Sequence, residues 1–68
     1  MSIKELGTRI KVRRKELGIT QAYLAAISGT GIRFIIELEQ GKPTVQLNKV
    51  LDVLSALNLT MNIEGPNE

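Results

Sequence analysis

The groups in this chain able to take or give a proton are scattered carboxylates, lysines and a single tyrosine, Tyr23. No two of them are arranged as an acid and base acting on one bond. With no cysteine and no histidine, the chain lacks a thiolate nucleophile, the usual zinc ligands and the usual proton shuttle at neutral pH. It has no phosphate-cradling glycine loop and no nucleophile beside a base, so no catalytic activity, cofactor or metal is expected. What remains is charge. Residues 1–42 hold eight of the nine Lys and Arg against four acids, a balance of +4. Residues 43–68 carry Lys49 against Asp52, Glu64 and Glu68, a balance of −2. Such a distribution suits non-covalent capture of an anion by the front part, nucleic-acid phosphates being one candidate and a solvated basic face the plainer alternative.

The elements that must position these charges are mostly helical. Ser2 and Glu5 form a capping box, and Leu6, Ile10, Arg14 and Leu17 recur at helical spacing until Gly18, which predicts a helix over 3–17. Thr20 suits the N-cap of a second helix of about seven residues, with Leu24, Ala25 and Ile27 as its inner stripe. The break Ser28-Gly29-Thr30-Gly31 leads into a third helix from Gly31 to Gln40, with Phe34, Ile35 and Leu38 inward and Gly41 and Pro43 closing it. Two short helices joined by a tight glycine-containing turn read as a helix-turn-helix unit. After Pro43, with Thr44 or Gln46 as cap, Leu47, Val50, Leu51, Leu54 and Leu57 predict an amphipathic fourth helix ending near 56–57. Sixty-eight residues support one core, so a single domain over 1–68 is expected. No stretch approaches the ~18 apolar residues of a membrane span and the first residues lack a signal-peptide core, which leads to the expectation of a cytoplasmic protein.

The period then changes. Leu59, Met61 and Ile63 alternate with Thr60, Asn62 and Glu64, as in a strand with one covered face, and Gly65-Pro66 ends it. Nothing else in the chain reads as a strand able to pair with it. Two outcomes follow: residues 58–64 pair antiparallel with a second copy across a two-fold axis, or they form a frayed tail. The first predicts a homodimer with Leu59, Met61 and Ile63 at its interface, and a tail over 65–68. The expected fold class is thus all-α, a four-helix body over 3–57 with a short C-terminal dimerising strand.

The residues Thr20-Gln21-Ala22, Leu24-Ala25, Gly29, Ile35, Leu38-Glu39 and Gly41-Lys42-Pro43 resemble the helix-turn-helix family that includes lambdoid phage repressors, Cro proteins and many bacterial regulators. The ending Leu57-Asn58-Leu59-Thr60-Met61-Asn62-Ile63 resembles the HipB branch, the DNA-binding antitoxins of HipA-type kinase toxins. The resemblance implies a lambda-repressor-like domain whose third helix enters the major groove. It makes Ile32, Arg33, Ile36 and Glu37, the residues of that helix outside the inner stripe, the candidates for base contact. Arg33 suits guanine, Ile32 or Ile36 a thymine methyl, and Glu37 a cytosine amino group, unless Glu37 orients Arg33 instead. Gln21 at the start of the second helix and Lys42 after the third match positions that contact the DNA backbone in relatives. Arg14 and Glu39 match a buried ion pair between the first and third helices. Lys11 or Arg13 could add long-range attraction, and Phe34 lies between core and groove.

The function implied is a sequence-specific repressor that binds an inverted-repeat operator in double-stranded DNA and acts as antitoxin to a HipA-like Ser/Thr kinase, autoregulating its operon. Two alternatives stand beside it. One is a phage-type or restriction-modification regulator without a toxin partner; the other is a module whose main task is to hold the kinase.

Overall fold

The computed structural model describes residues 1–66, and among these it contains four helices: α1 Ile3–Glu16, α2 Gln21–Ser28, α3 Ile32–Glu39 and α4 Leu47–Ala56. Local chemistry sets their starts. The Ser2 hydroxyl accepts from Glu5 N at 3.1 Å, and the Thr20 hydroxyl accepts from Tyr23 N at 3.0 Å. Only half of the expected capping box forms, because the Glu5 carboxylate takes the Ser2 hydroxyl rather than a backbone N–H. Of the two caps considered for α4, Gln46 holds the position and makes no side-chain bond there.

The four helices end alike. Ile19 N reaches Arg14 O, Thr30 N reaches Ala25 O, Lys42 N reaches Glu37 O and Leu59 N reaches Leu54 O, so each last turn is closed by a bond from five residues beyond. This six-to-one bond needs a left-handed residue at the turn. Asn58, with φ 58°, fills that place after α4 and is the only non-glycine with positive φ among the described residues. Gly41 is constrained twice: its φ is 80°, and a Cβ there would lie 2.8 Å from Lys4 Cα.

The core is one cluster of Ile10, Leu24, Ala25, Ile35, Leu38, Val50, Val53, Leu54 and Leu57, with Leu6, Ile19, Phe34, Val45 and Leu59 packed around it. α2 lies against both α3 and α4, and α1 against α3. Gly7 makes the α1–α3 approach possible, because a Cβ there would run into the carbonyl oxygen of Leu38 and lie 3.0 Å from that of Glu39. Arg13 ties α1 to the end of α4 by donating from Nε to Leu57 O at 3.0 Å.

Several expected inward positions turn outward. Ile27 on α2, Leu17 after α1, and Leu47 and Leu51 on α4 are all exposed, while Val53 replaces Leu51 in the buried stripe of α4. An i, i+3, i+4 pattern fixes a stripe to within about one residue either way, and the angle at which neighbours pack decides which edge is covered. The expected strand over 58–64 is absent among the described residues, where 59–66 belong to no regular element. A strand exists through its ladder, and one copy of the chain supplies no second strand. Leu59 instead packs partly buried against its own core, Met61 is 40% exposed and Ile63 is 94% exposed. Leu59, Thr60 and Met61 border an open groove of about 330 Å³ whose other wall is the Leu6, Arg9 and Val12 side of α1. Of the tail expected at 65–68, residues 67 and 68 lie outside the described range. No described helix is long and apolar enough to cross a membrane.

Candidate nucleic-acid interface

The α2–turn–α3 unit projects one face that the core does not use. On α3, Ile35, Leu38 and Glu39 point inward, whereas Ile32, Arg33 and Ile36 are exposed. Glu37 is half-buried, and its carboxylate accepts from Lys42 Nζ at 3.0 Å. Glu37 is therefore held by Lys42 rather than by Arg33, because the closed end of α3 brings Lys42 back over the last turn. Phe34 is half-buried on the core side, with Lys49 Nζ 5.7 Å from its ring centroid.

Behind this face lies a buried polar cluster. Arg14 donates to Glu39 through Nε at 2.7 Å and Nη2 at 3.1 Å, a two-pronged grip, and its Nη1 donates to Ile19 O at 2.9 Å. Both side chains are nearly buried, at 10% and 3% exposure. The hydrogen bond to Glu39 outweighs the opposing effect of burial and, with a smaller contribution from the carboxylate's charge, pushes the Arg14 guanidinium above its ordinary range. A raised cationic group keeps its stabilising charge below that range and would lose it only as pH rises through the higher value, so the pair holds through all neutral and mildly basic conditions. Gln21 adds a third donor, from Nε2 to Glu39 Oε1 at 3.1 Å. Every buried side-chain nitrogen and oxygen among the described residues is paired.

Gln21 thus stands at the first position of α2 with its amide nitrogen fixed on Glu39 and its carbonyl oxygen making no described bond. Lys11 is exposed on α1. Arg13 is otherwise engaged, on Leu57 O and at 3.6 Å from Glu16, so it acts within the fold. The spacing rules that suggested it as a free charge carry no information about a carbonyl 44 residues away. Nor did they signal the Gln21–Glu39 bond. Among the described residues no group of His, Cys, Asp and Glu is placed to hold a metal ion. The arrangement offers a basic fork, Arg33, beside the exposed Ile32 and Ile36 on α3, with Lys42 following that helix and Gln21 opening α2. It fits a polyanion with a grooved, partly apolar surface better than a small substrate.

Comparison with known proteins gives concordant likenesses. The family model described as helix-turn-helix matches residues 10–63. An uncharacterized HTH-type transcriptional regulator, y4mF, of Sinorhizobium fredii is 44% identical over 64 residues, spanning 94% of this chain and 84% of that protein. Among solved structures, a chain of a HipA-HipB-O2-O3 complex superposes with a TM-score of 0.87 at 25% identity, covering 98% of this chain and 94% of its own. The restriction-modification controller protein C.AhdI from Aeromonas hydrophila superposes with a TM-score of 0.76 at 28% identity, covering 85% of this chain and 84% of its own.

Proposed function

This chain belongs to the helix-turn-helix family, and on that premise we propose that it is a transcriptional regulator that binds double-stranded DNA through α3 and represses its own operon as a HipB-like antitoxin. In this role Arg33 contacts a base, Ile32 and Ile36 meet the groove floor, and Lys42 exchanges its Glu37 partner for a phosphate. Gln21, positioned by Glu39, faces a second phosphate at the N-terminus of α2. The observation that carries the DNA-binding role is the pairing of an exposed Arg33 and two exposed isoleucines on one face of the second helix of the motif.

The partner is a HipA-like kinase. What supports this choice over a controller without a toxin is extent: the likeness to the chain from the HipA-HipB complex covers 98% of this chain and so includes residues beyond α4, whereas that to C.AhdI covers 85%. Two copies then bind an inverted repeat, joined through residues 58–64, where Met61 and Ile63 lie open to a second chain and Leu59 anchors the segment to its own body. A strand forms there when the second copy supplies its ladder.

The test is affinity capture of the tagged protein from its native host, with mass spectrometry, alongside footprinting of the DNA upstream of its gene. Recovery of a HipA-type kinase and a symmetric footprint supports the antitoxin role. A footprint without any kinase moves the protein to the controller class, and the absence of both overturns the proposal.

A further inference from the structure

The exposed side of α3 has an unusual chemistry for a helix that is to read DNA. From Ile32 to Glu37 the one exposed side chain able to make hydrogen bonds is Arg33, since Glu37 is half-buried and committed to Lys42. Ile32 and Ile36 stand beside it at 48% and 36% exposure. Four residues apart, they share one face and form an apolar strip about 6 Å long. That strip lies next to a cation and, among the described residues, belongs neither to the core cluster nor to the side chains packed against it. The floor of the major groove offers apolar groups and hydrogen-bond acceptors side by side, so it can partner the isoleucines and Arg33 together. There the group that matches a branched aliphatic side chain is the C5-methyl of thymine, and the group that matches Arg33 is the O6 and N7 edge of guanine.

Resting on the DNA-binding role above, we propose that Ile32 and Ile36 are specificity-determining residues that read thymine methyl groups. Each half-site then carries one or two thymines whose methyls, not their hydrogen-bonding edges, are recognised, within about two base pairs of a guanine taken by Arg33. Two base pairs follows from the length of the strip against a rise of about 3.4 Å per step along one strand. Burial of one methyl against an isoleucine is worth about fourfold in affinity.

The experiment takes the best-bound duplex from a random-sequence pool selected on the wild-type protein, and replaces each thymine in turn with deoxyuridine. That change removes the methyl and leaves the pairing and the O4 acceptor in place. Binding is followed by fluorescence anisotropy. The expected result is about a fourfold loss at one or two thymines per half-site and little elsewhere, with 5-methylcytosine opposite guanine at those places retaining more affinity than plain cytosine. Ile32→Ala and Ile36→Ala, which keep their helical circular dichroism because both side chains are exposed, each abolish the discrimination at one of those positions. The proposal is overturned if no deoxyuridine changes wild-type affinity by more than about 1.5-fold, or if the methyl effect persists in both alanine variants, since it then belongs to DNA stiffness. Failure to select any duplex from the pool overturns the DNA-binding role itself and turns this face toward a protein partner.

Discussion

Gln21 donates from Nε2 to Oε1 of Glu39, the carboxylate that Arg14 grips through Nε and Nη2, so one acid on α3 is held by α1 and α2 together. The three helices meet at Glu39, and the start of α2 is locked to the helix that carries Arg33.

Removing that acid should be severe. Glu39→Ala leaves the Arg14 guanidinium buried without its partner, and a loss of about 3–5 kcal/mol is expected in urea denaturation. The double variant Arg14→Met, Glu39→Leu should lose clearly less than the sum of the single changes, because it leaves no orphaned charge. A single-variant loss under about 1 kcal/mol would show that the pair contributes little.

Gly7→Ala makes a sharper test of packing. By helix propensity alone alanine should gain about 1 kcal/mol over glycine. The overlap of its Cβ with Leu38 O predicts the opposite sign, a net loss of about 1–3 kcal/mol, because α1 and α3 must separate. A stabilised variant would mean that the two backbones part without cost.

Arg33 and Lys42 should differ in kind. Arg33→Ala is expected to cost about 1–3 kcal/mol and relax preference at one base pair per half-site, measured on a panel of operator variants. Lys42→Ala should weaken all sequences alike and lower the salt slope by about one per subunit. Glu37→Gln releases Lys42 from its 3.0 Å partner and should steepen the slope or raise affinity. A slope indifferent to both changes removes Lys42 from the interface.

The segment after α4 can be tested without touching the motif. Met61→Asp places a charge where a second copy would cover an apolar side chain. It should keep its helical circular dichroism, sediment as a monomer and lose operator affinity. Full dimerisation with unchanged affinity would place the two-fold contact elsewhere.

Much of this was legible in the sequence where the signal is local. Ser2, Thr20, Gly18, Gly29 and Gly41 mark helix ends because caps and left-handed turns are decided by a few adjacent residues. The stripe of α4 was legible only in part. Val50, Leu54 and Leu57 are buried, but Leu47 and Leu51, no less apolar, are exposed, and spacing along α4 does not tell the two groups apart. Relationships across the chain were not legible by spacing at all. Nothing local relates Arg14 to Glu39, Arg13 to the carbonyl of Leu57, or Gly7 to that of Leu38. Glycine within a helical pattern signals weakness until the neighbouring backbone is known. The alternation from Leu59 to Ile63 is real as a pattern, yet the structure of a single copy cannot express it as a ladder.

The contact of Gly7 with the carbonyls of Leu38 and Glu39 is main chain against main chain, made at the last residues of α3 with no side chain of Ile32, Arg33 or Ile36 among the near atoms. The seat of α3 is therefore independent of the letters it displays. Ile32, Arg33 and Ile36 could be exchanged as a set, by drift or by grafting, and the helix would be presented at the same angle. Vocabulary and posture are separately heritable in this fold, so a close relative with an identical scaffold can answer to a different address.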